Sequence, residues 1–374
     1  MDNPESYIAF DRMEAFMVDV FKGIGVPDGD ARICADVLIT ADKRGIDSHG
    51  IGRLKPIYYD RIVHDRIQNP VTVVEVVRDH LATAVVDGHD GMGMVIASRC
   101  MQMAIGKARQ YGLGMVVARN STHYGIAGYY PMMACRENMI GLTGTNARPS
   151  IAPTFGVENM LGTNPLVFGM PTDEDFIFTN DYATSISQRG KIEQYAREGK
   201  SLPPGWVIDQ DGKPMTDPQA VLTALVDGTA ALCPVGGIGE ELGGYKGYGY
   251  ATVVEILSAA LQQGAFLKQL LGIDKTGAKI PYRLGHFFMA IDIAAFTEVD
   301  AFKKTTGDIL RQLRASGKAP GQERIYTSGE KEHLAWQQRR GTGVPLNAVL
   351  RAQILEMRDA LGLHRHRFPF ESCT

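Results

Sequence analysis

A chain of 374 residues is long enough for a large core and two subdomains. Its formal charge of −3 and ordinary apolar content of 44% exclude the strongly basic face of a nucleic-acid binder. No apolar run reaches the roughly 18 residues of a membrane span, and the acidic start Met1-Asp2-Asn3-Pro4-Glu5-Ser6 does not read as a secretory signal.

Residues 7–22 carry Ile8, Met13, Phe16, Met17 and Val20 at helical spacing, and Pro27-Asp28-Gly29 breaks the chain. A second helix is expected from Ala31 to Lys43, with Gly45 as its stop. The stretch Arg44-Gly-Ile-Asp-Ser-His-Gly-Ile-Gly-Arg53 then gathers polar side chains among three glycines, and Pro56 can open a helix through Tyr58 and Ile62. Two β-rich runs, 71–77 and 82–87, flank Arg78-Asp79-His80 and predict a hairpin. A helix over 93–111 and a buried strand over 113–118 lead to Asn120-Ser-Thr-His123-Tyr-Gly-Ile-Ala-Gly128, a histidine loop before a helix at 129–137. Strands follow at 139–143, 166–170 and 176–179, the last running into Asn180-Asp181-Tyr182-Ala183-Thr184-Ser185. The polar, proline-containing segment 188–228 reads as a long excursion with one or two short helices, a lid or an oligomer arm. Glycine-rich residues 236–249 run into a helix over 250–263, then a strand over 286–293 and helices near 299–315, 329–340 and 345–361. A helical subdomain of 1–70 with 299–374 is therefore expected beside an α/β core of 71–298. The five cysteines at 34, 100, 135, 233 and 373 form no Cys-x-x-Cys pair, so a reducing, cytoplasmic setting is expected.

The usual nucleotide fingerprints are missing. Gly91-Met-Gly93 precedes a helix but has Ile96 where the third glycine of a Rossmann turn belongs, and Gly23-Ile-Gly25, Gly237-Ile-Gly239 and Gly247-Tyr-Gly249 fail on context or spacing. There is no P-loop, no His-Glu-x-x-His and no Gly-x-Ser-x-Gly, and no metal site is expected at His364-Arg-His366. What remains is a dispersed set in glycine-rich or strand-end segments: His49, Arg53, His123, Asp181 and Lys246. Arg53 could grip a carboxylate, His123 exchange a proton near neutrality, Asp181 orient an imidazole, and Lys246 meet a phosphate or an amide. Each has an ordinary alternative: Arg53 pairing with Asp47 or Asp60, Asp181 capping a turn, Lys246 solvated.

Six stretches in this order resemble the malate/L-lactate dehydrogenase family along nearly the whole chain. They are Arg44-Gly-Ile-Asp-Ser-His-Gly-Ile51 with Arg53, Ser121-Thr-His-Tyr-Gly125, Leu161-Gly-Thr-Asn-Pro165, Asp181-x-Ala-Thr-Ser185, Gly243-Gly-Tyr-Lys-Gly-Tyr-Gly249 and Ser328-Gly-Glu330. The resemblance implies a non-Rossmann α/β fold with a mixed sheet, a nicotinamide cofactor (NAD or NADP), a small carboxylate substrate and a homodimer. It implies His123 as acid/base with Asp181 orienting it, and Ser48, His49 and Arg53 as substrate-binding residues. It further implies Asn146, Asp181, Tyr182, Ala183, Lys246, Ser328, Gly329 and Glu330 as cofactor contacts. The chain departs from the family's common pattern in Ser328, where proline is usual, and in Ala147-Arg148 after Asn146, where a small polar residue is usual. The expected reaction is hydride transfer between nicotinamide and C2 of a 2-hydroxy/2-keto acid of malate, lactate, sulfolactate or ureidoglycolate type. Reduction of a cyclic imino acid is a second reading, and a non-catalytic small-molecule-binding oligomer a third.

Overall fold

The structure is a computed structural model describing residues 6–373; the first five residues of the acidic start, Thr374 and the side chains of Ser372 and Cys373 lie outside it. In chain order the first half contains β1 (Ser6–Ile8), α1 (Phe10–Gly23), α2 (Asp28–Lys43), a 3-10 turn Ile51–Arg53, a π-helical stretch Leu54–Tyr59 and α3 (Asp60–Val63). It continues with β2 (Glu75–His80), β3 (Thr83–Asp87), α4 (Gly93–Tyr111), β4 (Leu113–Ser121), α5 (Tyr129–Arg136) and β5 (Met139–Thr145). The second half contains β6 (Leu166–Met170), β7 (Phe178–Tyr182), α6 (Arg189–Glu198), β8 (Val207–Asp209), α7 (Pro218–Asp227) and β9 (Ala230–Leu232). It closes with α8 (Gly244–Ala259), β10 (Leu284–Asp292), α9 (Val299–Ala315), α10 (Glu330–Arg339), β11 (Val344–Leu346) and α11 (Ala348–Ala360).

Seven strands form one mixed sheet in the order β2-β3-β4-β10-β5-β6-β7. Only β3 and β4 run parallel, joined by the α4 crossover that parallel pairing requires. Val116, Ala118, Phe288 and Ala290 face α4 and the N-terminal helices, while Val117 and Phe287 face Val254 of α8, so the central strands are apolar on both faces. At Gly114 a Cβ would lie 2.9 Å from the Ala108 nitrogen, which lets β4 and α4 approach closely. Strand β10 enters from far along the sequence and separates β4 from β5. The ends of those two strands, carrying the histidine loop and Asn146, therefore lie one strand apart.

Several boundaries differ from the expectation. Residues 6–8 are a strand because they pair antiparallel with β11, Ser6 opposite Leu346 and Ile8 opposite Val344. Helix α2 begins at Asp28, with Pro27 as its cap position, so the expected break is the helix start. The hairpin is shifted from 71–77 to 75–80, because β2 is exposed throughout and takes its register from pairing with β3. The expected strand at 176–179 lies at 178–182, placing Asp181 and Tyr182 inside it. Helix α8 starts at Gly244, six residues before the expected Tyr250, and its early glycines pack on backbone: a Cβ on Gly244 would lie 2.7 Å from the Gly239 oxygen. The excursion 188–228 is a packed lobe, with Ile192, Leu202, Val207 and Val221 sharing an apolar core with Ile151, Leu161 and Leu232. Its helix α7 is capped by Asp217, whose Oδ1 accepts from Gln219 N at 2.9 Å. Among the described residues no helix is long and apolar enough to cross a membrane, and Cys34, Cys100, Cys135 and Cys233 are free and buried.

Candidate active site

A cavity of about 680 Å³ opens where β4, β5 and β7 end. Ser48, His49, His123, Asn146, Asp181, Tyr182 and Ala183 all line it, so residues up to 135 positions apart meet there. Arg44, Ser185, Ser187, Lys191 and Glu332 complete much of its polar wall.

His123 sits just beyond the end of β4, in a loop fixed at consecutive residues. The Thr122 hydroxyl donates to Gly91 O (2.8 Å) and accepts from Gly93 N (2.9 Å). The Tyr58 hydroxyl lies 2.7 Å from His123 Nδ1 and 3.4 Å from the His123 carbonyl, to which it can donate. Gly125 N also approaches Nδ1, at 3.3 Å. With Nδ1 engaged inside the protein, Nε2 is the nitrogen left for chemistry. The His49 ring stacks on His123 at 5.8 Å and 17°. Burial, followed by the charges of His49, Arg61 and Arg53, holds the His123 imidazole well below its ordinary pKa, so the ring is neutral at pH 7. Burial and Arg53 push His49 down to about 4.

The loop carrying Ser48, His49 and Arg53 is pinned from below. Asp42, buried at the end of α2, accepts Ile51 N at 2.9 Å, and burial pushes its carboxyl up to about 8. Arg339 of α10 forks onto Asp47 (2.8 Å through Nη2) and donates to Asp42 O (2.8 Å). Asp60 pairs with Lys55 at 3.1 Å. Arg53 thus has neither Asp47 nor Asp60 as its partner; its Nε donates to the Ser48 carbonyl instead. It lies within electrostatic reach of His49 and His123 but is not among the residues lining the cavity. Ser48 Oγ is 2.8 Å from His49 Nδ1.

Asp181 Oδ2 accepts Gly128 N at 2.7 Å, at a loop residue five positions after His123. The hydrogen-bonding side chain at His123 is therefore Tyr58, and Asp181 shares the cavity without being that partner. Burial, opposed by Gly128 and Arg44, raises the Asp181 carboxyl to about 6. Asn146 commits its amide to Ala265 O (3.0 Å) and Gly285 N (2.8 Å). The turn before α10 reaches β7, with Ser328 Oγ 2.7 Å from Tyr182 Oη. Gly329 has φ +90° and lies against the Ile177 carbonyl, a position closed to a side chain. Glu330 accepts from Thr327 N (3.0 Å) and pairs with Arg324. Lys246 is exposed in the first turn of α8 and does not line the cavity. Two residues the sequence reading passed over stand out here: Ser185 Oγ and Ser187 Oγ are buried, line the cavity and have no hydrogen-bond partner among the described residues. Buried hydroxyls of this kind are ordinarily satisfied by an ordered water or another bound group. Among the described residues no cluster of three or more His, Cys, Asp or Glu could hold a metal ion.

A sequence model of the family described as malate/L-lactate dehydrogenase matches residues 8–355. The chain belongs to the malate/L-lactate dehydrogenase family. Within this dehydrogenase family it is 41% identical over 361 residues to a malate dehydrogenase of Pyrococcus horikoshii, covering 96% of this chain and 97% of that one. The crystal structure of malate dehydrogenase from Entamoeba histolytica superposes with a TM-score of 0.92 at 43% identity, covering 96% and 99% of the two chains. A delta1-piperideine-2-carboxylate reductase from Pseudomonas syringae pvar. tomato superposes with a TM-score of 0.78 at 25% identity, covering 94% and 99%. The mixed α/β fold is thus that of the malate/L-lactate dehydrogenase family, and the absence of a Rossmann fingerprint is a property of the fold.

Proposed function

We propose that this dehydrogenase interconverts a small 2-hydroxy acid and its 2-keto acid, with His123 as the acid/base and Arg53 as the carboxylate clamp. The observation that carries the reading is the Tyr58–His123 contact at 2.7 Å, which fixes the imidazole beside the loop of Ser48, His49 and Arg53 with Nε2 free. The polar lining that includes Arg44, Ser187 and Lys191, together with the ionisable Asp181, fits a polar, ribose- and phosphate-bearing cofactor. Asn146, Asp181, Tyr182 and Ala183 would hold it, with the Ser328-Gly329-Glu330 turn and Lys246 at its margins. Bound there, NAD(H) or NADP(H) supplies hydride exchange at C2.

In the oxidising direction neutral His123 takes the hydroxyl proton on Nε2. In the tautomer that leaves Nε2 open, Nδ1–H donates to the Tyr58 oxygen, whose O–H in turn donates a hydrogen bond to the His123 carbonyl, so the forming imidazolium has a partner at Nδ1. In the reducing direction the protonated ring returns the Nε2 proton to the alkoxide. Arg53 holds the substrate carboxylate through the planar fork left after its Nε bond to Ser48, and His49 closes the other side. Positioning and charge stabilisation in a partly closed cavity supply most of the acceleration.

A two-copy assembly accompanies this reading. Helix α8 packs Val254 and Ser258 inward, yet leaves Tyr245, Tyr250, Val253 and Ile256 exposed on its other side. A helix apolar all round is expected to be covered, and sedimentation at a single two-chain mass would bear this out. A second chemical reading, reduction of a cyclic C=N bond next to a carboxylate, is favoured by the reductase among the structural neighbours. A panel of 2-keto acids and cyclic imino acids with NADH and NADPH, followed by nicotinamide absorbance, separates the two. His123→Ala should abolish turnover of the active substrate and leave cofactor binding within about threefold; near-wild-type turnover would sink the assignment.

A further inference from the structure

We propose that His286, a buried residue outside the cavity, is a positioning residue that sets the spacing between the His123 side and the Asn146 side of the active site; this rests on the hydride-transfer reading above. His286 lies on β10 between β4 and β5 and is fully buried. Its Nε2 is 2.7 Å from Ser121 Oγ at the end of β4, and its Nδ1 is 2.7 Å from Thr145 Oγ1 at the end of β5. Ser121 stands two residues before His123, and Thr145 directly before Asn146.

The grip on the histidine loop is double. The Tyr124 ring, one residue after His123, lies flat on His286 at 4.5 Å and 4°, and stacks on Tyr130 at 5.0 Å. His123 is therefore bracketed in sequence by two residues that both touch the same imidazole. On the other strand the neighbouring Gly285 N donates to Asn146 Oδ1 at 2.8 Å, so consecutive residues of β10 hold both Thr145 and Asn146. The β10–β4 register shifts between Leu284 and His286, so the strand is irregular where the clamp sits. Burial pushes the His286 pKa down to about 3, and a neutral ring offers one donor and one acceptor to two hydroxyls that can each do either. The Thr122 carbonyl also faces this ring. The group cannot serve as an acid or base for a substrate it does not touch; what it can do is fix two strand ends relative to one another. Misplacement of reacting groups by about 1 Å costs on the order of 100-fold in rate.

The test compares His286→Phe, which keeps a flat ring but no hydrogen-bonding nitrogen, with His286→Gln, which restores one donor and one acceptor. The proposal expects kcat to fall by about tenfold to a hundredfold in His286→Phe. Cofactor Kd should stay within about threefold, the deuterium isotope effect from labelled nicotinamide should rise, and His286→Gln should recover most of kcat. It also expects amide hydrogen exchange in the unliganded His286→Phe protein to rise together in peptides covering 113–128 and 139–150. If His286→Phe does not fold, Ser121→Ala and Thr145→Val each remove one bond and should each lower kcat with faster exchange in their own segment. Wild-type kcat in His286→Phe, a His286→Gln variant as impaired as His286→Phe, or unchanged exchange in both segments would overturn the proposal. Should the wild-type protein turn over no 2-hydroxy acid or imine, the functional reading fails while the exchange measurement still decides the role of His286.

Discussion

Gly50→Ala probes the substrate loop at the point where it is most tightly built. A Cβ at residue 50 would lie 2.6 Å from Asp42 Oδ2 and closer still to Oδ1. The backbone there has φ −90° and ψ −138°, and the direct steric conflict is with the buried carboxyl. Asp42 cannot swing away freely, because it is buried and accepts Ile51 N at 2.9 Å. Losing that bond inside the protein costs about 1–3 kcal/mol, and the displaced carboxyl adds an overpacking cost of about 1–3 kcal/mol. The thermal midpoint should fall by roughly 3–8 °C. The displacement is handed to Ser48, His49 and Arg53 on either side. Loss of one charge-assisted contact, about 1.5–3 kcal/mol, would raise KM for the carboxylate substrate about tenfold to a hundredfold. Cofactor Kd, read from nicotinamide fluorescence, should hold because Asp181 and β7 are untouched. Asp42→Asn is the control: its carboxyl is pushed up to about 8 and is largely protonated at pH 7, so the neutral isostere should be far milder. An unchanged thermal midpoint together with an unchanged KM in Gly50→Ala would refute the pinning of the loop by Asp42.

Three further outcomes follow from the same geometry. Tyr58→Phe removes the hydroxyl at His123 Nδ1 and should lower kcat about tenfold to a hundredfold with little change in either KM, since the lost bond matters most when the imidazole is charged; a pure KM effect would place Tyr58 in substrate binding instead. Arg53→Lys keeps the charge but loses the planar fork, so kcat/KM for the acid should drop by at least about tenfold, and an unchanged value would remove Arg53 as the clamp. Because His123 titrates well below 6.5, kcat/KM for the hydroxy acid should already sit on its plateau at pH 6.5 and fall only as the pH drops towards the depressed pKa, whereas kcat/KM for the keto acid should decline as the pH rises through the same region; a base-side inflection near pH 8 in the oxidation profile would contradict this sign.

Much of the site was legible before any coordinates. The strand-end position of His123 and the polar loop of Ser48, His49 and Arg53 are visible as local patterns, and His123, Ser48 and His49 line one cavity while Arg53 stands outside its lining. Tyr58 was not, because it is 65 residues from His123 in sequence and reads as one more apolar helix position. The π-helical stretch that aims it has no simple sequence period. Asp181 was read as the carboxylate behind His123 because such pairs are common; the fold gives that place to a tyrosine and hands the carboxylate a backbone N–H from Gly128. Similarly, nothing local to Leu284–Asp292 says that it lies between β4 and β5, although that insertion decides where Asn146 stands. The early start of α8 was hidden by glycines that normally oppose helix, and here serve close backbone contact.

The short pairing of β1 with β11 also bears on how the protein is made. Ser6–Ile8 are translated long before their partner residues Val344–Leu346, which come 336 positions later for the Ile8–Val344 pair. Phe16 meets Phe368, at 5.3 Å and 89°, only with residues translated later still. The β1 edge and the Phe16 end of α1 must therefore wait for residues translated much later, while α1, α2 and α4 already pack on one another. Contacts so distant in sequence form late, and this stretch is where chaperone engagement during synthesis would be concentrated.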